Sequence, residues 1–411
     1  MFDLAEAGSL GFDAGRLERI PEFLKQTYID NGRLPNAQLV VARGGKPAHY
    51  TRLGAMGEDG RELPDDALFR IASMTKPVTS IAFMQLVERC EVALEDPVTK
   101  VFPEFADLEV YAGGGGSIPF APGVPASPMR FVDLLTHMSG FTYGLQNRNN
   151  LDAAYREHNF DFARDHLDSD EFVGRLSKLP LEFAPGQGWN YSVSTDVLGI
   201  AVERISGMRL GEYFEKHIFA PLGMTDTRFG VKEADLDRLV DAYAYRPGQS
   251  PRMISAGKTS KLAQPGTFDS GGGGLVGSIV DYHRFATMLL NGGALDGARI
   301  VSPKTLRLMR TNHLPNNADL TEMSSSLFSE ANNAGTGFGL GFAMVIDPAK
   351  TLMPSSLGEF YWGGAYSTAF FVDPVEQITC VFMTQVYPSS TYPIRRQLKT
   401  LIYSALTETY A

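Results

Sequence analysis

Cysteine is nearly absent: Cys90 and Cys380 are the only two in a chain of 411 residues. Two thiols build neither a disulfide framework nor a cysteine-rich zinc site. No run of about 18 apolar residues occurs, so no segment reads as a bilayer-spanning helix. Positive charge is in short supply: Lys plus Arg number 37 against 47 Asp plus Glu, a formal net charge of −10. An acidic surface repels phosphate backbones and anionic lipids, so neither a nucleic acid nor a membrane is expected as partner. The metal-binding pattern H-E-x-x-H is missing, and nothing calls for a metal or a cofactor. The nucleophile elbow G-x-S-x-G is missing too, which removes the usual Ser-His-Asp hydrolase. The four glycines Gly113 to Gly116 lack the G-K-[ST] ending of a phosphate loop and read as a plain loop. The first residues place Asp3 and Glu6 where a secretory leader needs positive charge. A cytoplasmic protein is the expectation, unless a leader has been trimmed.

The composition that is present, 44% hydrophobic and 20% charged, fits a folded globular chain. Its length exceeds what one core supports, which points to two lobes. Residues 13 to 30 have helical spacing through Leu17, Ile20, Leu24 and Tyr28, with a stop at Asn31-Gly32. Ala37 to Arg43, the turn Gly44-Gly45 and the return through His49 to Leu53 read as a β-hairpin. Residues 77 to 90 begin with proline in a helix's first turn and are apolar on nearly every side, which predicts a buried helix. Ala112 to Pro128 reads as a long loop, and 131 to 205 as helices and loops. A Pro/Gly/Ser-rich connection spans 246 to 274, followed by a helix over Val280 to Leu290. Leu340 to Ile346, Ala369 to Val372 and Gln377 to Thr384 look like strands, and Pro393 to Thr407 like a closing helix. The economical assembly is one antiparallel sheet built from both chain ends, flanked by helices, with a helical lobe inserted. The expected division is 1–90 with 265–411 as an α/β lobe and 91–264 as an all-α lobe, the active site between them.

The chemical signal is Ser73-Met74-Thr75-Lys76, an S-x-x-K. A serine hydroxyl is a weak nucleophile and needs a base beside it. On a helix, positions i and i+3 share a face, so Lys76 can reach Ser73. The free N–H groups of a helix start also favour a developing oxyanion. About one S-x-x-K is expected by chance in such a chain. A second copy, Ser255-Ala256-Gly257-Lys258, lies in the Gly/Ser/Pro-rich stretch with no apolar helix behind it, and reads as a surface loop. The Ser73 copy precedes a buried helix, the context the chemistry requires.

The segment IASMTKPVTSIAFMQLVE resembles the nucleophile segment of class C β-lactamases, penicillin-binding proteins and family VIII carboxylesterases. FVDLLTHMSGFTYG, Tyr191-Ser192-Val193, GGGGLVGSIVDYHRFATMLLNGG and Trp362-Gly363-Gly364 follow in that superfamily's order. The resemblance spans roughly residues 12 to 406. It implies a β-lactamase-like fold of the class C type. It also implies acylation of Ser73, with Lys76 and Tyr191 as a joint activating pair, and an oxyanion hole made by the backbone N–H groups of Ser73 and Ala365. A tyrosine near pKa 10 is a poor base alone, and a neighbouring ammonium favours the phenolate. Trp362-Gly363-Gly364-Ala365 reads as an edge strand whose missing side chains let a substrate approach. Trp362, Gly363, Gly364 and Tyr143 are the expected substrate contacts, and His137 is expected to be structural.

Two departures decide the substrate class. Lactamases of this type carry a lysine where Trp362 stands, and usually an asparagine where Val193 stands. Without that cation and amide a lactam's carboxylate is poorly received. The pattern is that of family VIII esterases. The resemblance thus implies hydrolysis of short-chain carboxylic esters, small molecules, through acyl-Ser73. The alternatives are an acyltransferase of the same fold, or a weak β-lactamase or penicillin-recognising protein.

Overall fold

The computed structural model describes residues 2–114, 120–324 and 333–410. Its centre is a seven-stranded antiparallel sheet drawn from both ends of the chain. We label the strands β1 (Asn36–Arg43), β2 (Lys46–Gly54), β3 (Thr336–Phe338), β4 (Ala343–Val345), β5 (Phe360–Gly363), β6 (Ala369–Asp373) and β7 (Ile378–Met383). Their order across the sheet is β3-β4-β5-β6-β7-β1-β2. β1 pairs with β7 through Val40↔Val381 and with β2 through Val40↔Tyr50, so the N-terminal hairpin closes onto the C-terminal strands.

Strand side chains alternate between faces, and both faces are covered. Leu39, Val41, Phe371, Cys380 and Phe382 meet the N-terminal helical residues Leu17, Ile20 and Leu24 and the closing helix through Leu398 and Ile402. Val40, Phe370, Val372, Val381 and Met383 join the larger core with three helices. These are α1 (Thr75–Glu88), α2 (Ser194–Ser206) and α3 (Ile279–Leu290); the closing helix is α4 (Ile394–Ser404). α1 is buried from Thr75 to Leu86, as its nearly all-round apolar surface predicts. Among the described residues, no helix is long and apolar enough to cross a membrane.

Several expectations needed correction. Leu340 to Ile346 is not one strand, because the chain turns over Gly339–Phe342 and only Ala343–Val345 pairs. Gly341 sits there at φ +97°, and a Cβ on it would lie 2.2 Å from Ser80 Oγ. The Trp-Gly-Gly strand is third in the sheet rather than an edge. Its tip is open all the same: β4 reaches only Phe360 and Tyr361, while Trp362 and Gly363 pair on one side alone, with β6. The connection 246–274 contains a short strand, Arg252–Ser255, paired with Ala242–Ala244. Ser255 is therefore a half-buried strand end and not a surface loop, whereas Lys258 is exposed and paired with Asp59. The 112–128 stretch includes Val124–Pro125, paired with Glu109–Val110. Within it, Gly115 and Gly116 of the four-glycine run lie outside the described residues.

Candidate active site

Ser73 occupies a single tight helical turn, Ala72–Met74, that runs directly into α1. Ala72 before it is held at φ +45°, a left-handed conformation that costs an L-residue about 1–2 kcal/mol. The turn exposes Ser73 partly while Lys76, one turn on, is buried at 2% exposure. Lys76 Nζ lies 3.5 Å from Ser73 Oγ and donates to the Gly272 carbonyl at 2.6 Å and to the Tyr143 hydroxyl at 3.0 Å. It also sits 4.6 Å from the centre of the Tyr191 ring. Buried charge is retained only where it is compensated and hydrogen-bonded, and the compensating carboxylate here, Asp196, is reached through the Tyr143 hydroxyl. Burial pushes the Asp196 carboxyl above the usual range and the nearby Lys76 ammonium opposes that. Asp196 accepts from Ser270 Oγ at 2.5 Å and from the Gly272 N–H at 3.0 Å.

Tyr191, just before α2, packs its ring on Tyr143, Trp362 and His137 at 5.3, 5.5 and 5.1 Å between centroids. Its hydroxyl is buried and has no hydrogen-bond partner among the described residues. The structure therefore brings Ser73, Lys76 and Tyr191 together, with Lys76 hydrogen-bonded to Tyr143 and facing Tyr191 through the ring. Tyr143, expected only as a pocket wall, has its hydroxyl held between Lys76 and Asp196 Oδ2, 3.5 Å away. Burial first, and the Asp196 charge second, hold that phenol protonated, well above its usual pKa.

His137 sits at φ +57° beneath Tyr191 and meets Ser192 Oγ at 3.2 Å through Nδ1. Burial, reinforced by Lys76, pushes its pKa well below 6.5, so the ring is neutral at pH 7. It is a supporting group behind Tyr191. Val193 is fully buried and does not line the cavity, so it offers a substrate nothing.

Across the cavity stand Trp362, Gly363, Gly364 and Ala365. The Trp362 indole N–H is buried without a partner among the described residues. The two glycines are there for close approach. A Cβ on Gly364 would lie 2.4 Å from the Ile71 carbonyl oxygen and 2.2 Å from Thr368 Oγ1, and one on Gly363 would lie 2.5 Å from Arg395 Cζ. Arg395, at the start of α4, uses that space to donate to the carbonyls of Gly364 and Thr368, each at 2.9 Å. The turn presenting Ala365 is thereby fixed against the turn presenting Ser73. No described residue accepts a hydrogen bond from the N–H of either Ser73 or Ala365. Gly364→Ala is expected to cost about 1–3 kcal/mol of stability by overpacking. Denaturant melts check this; an unchanged melt would show that the approach is not tight.

The cavity measures about 860 Å³ and continues past Gly363 to Leu398 and Lys399. Asp196, Gly272 and Arg395 were not singled out from sequence. An aspartate in a helix's first turn is ordinary dipole chemistry, so Asp196 carried no separate signal. The Gly271–Gly274 run did carry one: a Cβ on Gly272 would lie 2.4 Å from Asp196 Oδ2. Among the described residues no group of three or more His, Cys, Asp or Glu is gathered as a metal site would need.

Residues 22–403 match the Beta-lactamase family. Protein Rv1367c of Mycobacterium tuberculosis is 36% identical, over 87% of this chain and 88% of its own length. Esterase EstB of Burkholderia gladioli is 32% identical, over 96% of this chain and 97% of its own. Among solved structures, EstCE1, described as a hydrolase with promiscuous acyltransferase activity, superposes with a TM-score of 0.77. It is 26% identical and covers 98% of this chain and 99% of its own.

Proposed function

The chain belongs to the Beta-lactamase family, and from that premise we propose that it is a serine carboxylesterase acting through an acyl-Ser73 intermediate. The observation that carries the reading is Lys76 Nζ at 3.5 Å from Ser73 Oγ, in a buried pocket whose opposite wall is Trp362-Gly363-Gly364. Ser73 Oγ attacks the ester carbonyl, and its proton passes to the Lys76–Tyr191 pair. The backbone N–H groups of Ser73 and Ala365 receive the oxyanion. The pair returns the proton to the leaving alcohol, and water then releases the acid by the same steps reversed. Tyr143 and Asp196 hold the Lys76 ammonium in place. On this reading the site lies between an α/β lobe, 1–90 with 265–411, and a helical lobe, 91–264, and the enzyme is of the family VIII esterase kind. The second reading, an acyltransferase in which an alcohol replaces water, is favoured by one relative's recorded promiscuity.

Trp362 sets the substrate class. It supplies an apolar face and one N–H donor and cannot neutralise a carboxylate beside the scissile bond. A charge-assisted contact is worth about 1.5–3 kcal/mol, or about 10- to 150-fold in rate. Neutral short-acyl esters should therefore be hydrolysed well, and a cephalosporin weakly or not at all. Trp362→Lys should shift the kcat/KM ratio toward the cephalosporin without reaching lactamase rates, because Val193 still lacks an amide. A panel of chromogenic esters and one cephalosporin tests this on both proteins. A cephalosporin turned over as efficiently as a neutral ester by the unaltered enzyme would replace the esterase reading with a lactamase one. Adding a primary alcohol to the assay and measuring transesterified product separates water from alcohol as acceptor.

A further inference from the structure

Arg70 is a buried side chain on the wall of the same cavity, and among the described residues no carboxylate touches its guanidinium. It ends the short strand Phe69–Arg70, and its main chain is held by the Gln385 side chain through bonds of 3.2 and 3.0 Å. The residue is 9% exposed, and its guanidinium donates to the Val240 carbonyl at 2.8 Å, to Ser255 Oγ at 3.0 Å and to Ser260 Oγ at 3.4 Å. Every one of those acceptors is neutral. No carboxylate lies within ion-pair distance of it among the described residues. Two groups act on its charge from further off, Tyr366 first and Asp241 second, and Asp241 accepts the Gly257 N–H at 2.7 Å rather than touching the guanidinium.

A buried guanidinium without a contacting anion is costly, and a protein tolerates it where a ligand completes the pair. The surroundings are prepared for one. The N–H on Nε and one on Nη1 have no described acceptor. Ser255 and Ser260 accept from Arg70, which leaves each hydroxyl hydrogen to give, and neither is given to a described group. Arg70, Ser255, Thr259, Ser260 and Lys261, which has no ion pair among the described residues, all line the cavity. The acids on the same wall are already engaged: Asp161 with the amides of Gly144 and Leu145, Asp165 with Arg164, and Asp196 with Ser270 and Gly272. Only Ile71 and Ala72 lie between Arg70 and Ser73, so the two Cα atoms are at most about 11 Å apart.

We propose that the ester taken by this site carries a carboxylate several bonds from the scissile carbonyl, received by Arg70 together with the Ser255 and Ser260 hydroxyls. The inference rests on the esterase reading and adds the polarity of the substrate: neutral beside Trp362, anionic at the far end. It also gives the second S-x-x-K copy a use, since Ser255 serves as a binding hydroxyl.

The test begins with the unaltered enzyme. Nitrophenyl half-esters of dicarboxylic acids with four, six and eight carbons are compared with their methyl-capped neutral counterparts. Acetoxybenzoate and its methyl ester put the charge on the leaving group instead. At one length, on one side, the anionic ester should exceed its neutral counterpart in kcat/KM by about tenfold or more. In Arg70→Gln that ratio should fall toward one. Should Arg70→Gln fail to fold, the double variant Ser255→Ala with Ser260→Ala should lower the ratio severalfold through KM. Neutral esters equal to or better than anionic ones at every length and on both sides would overturn the inference and leave the esterase reading standing. An advantage that survives in the variants would overturn it as well. If no ester of either charge is hydrolysed, the esterase reading itself falls, and this inference with it.

Discussion

Ser73→Ala is expected to lower ester hydrolysis by on the order of 10⁴-fold or more, leaving only what the binding surface and oxyanion donors contribute. The loss is chemical, not structural. The Ser73 hydroxyl makes one long contact, 3.5 Å to Lys76, and caps nothing on which α1 depends. Its removal should change stability by about 1 kcal/mol or less, so the melt of the variant should overlay that of the unaltered protein. Ser255 offers the natural comparison, because it begins the other S-x-x-K. Its lysine, Lys258, is exposed and paired with Asp59, and its own hydroxyl faces Arg70. An enzyme that keeps its rate without Ser73 and loses it without Ser255 would mean that the wrong serine had been chosen.

The next largest effects belong to Lys76→Ala and Tyr191→Phe, each expected to lower kcat by about 10²–10⁴. The double variant should be little slower than the worse single one, because the two handle one proton as a unit. The geometry gives the reason: Lys76 Nζ lies over the Tyr191 ring at 4.6 Å, within one buried cluster closed by Tyr143. Losses that multiply cleanly would make one of the two a packing residue. Lys76→Ala also empties a buried site and leaves Asp196 without its cation, so its melt should fall by more than that of Tyr191→Phe. Kinetics and melts on the three variants separate the two contributions.

The parts of this molecule that follow a period were legible in the sequence, and the parts made by long-range meetings were not. The hairpin Asn36–Gly54 announced itself through the apolar run before the turn Gly44-Gly45, and α1 through its continuous apolar surface. Leu340 to Ile346 read as one strand because its apolar run outweighed the one mark of a bend it carries, Gly341. Only the approach of Ser80 shows why Gly341 bends the chain there. Ser73 and Lys76 lie three residues apart and could be paired on a helix face. Asp196 and Gly272 are 76 residues apart, and no local pattern joins them. Arg395 reaches Gly364 across 31 residues for the same reason. Tyr143 was expected as a wall and is a hydrogen-bond partner of Lys76, a difference only the packing of the two segments could decide.

The central claim is a covalent acyl-enzyme on one serine. Its most direct measurement is to quench the enzyme during turnover of a slowly released chromogenic ester, digest it, and locate the added acyl mass by tandem mass spectrometry. The account predicts the acyl group on Ser73, absent from the same digest of Ser73→Ala. An acyl group on Ser255 or any other residue, or turnover with no covalent adduct at any quench time, would contradict it.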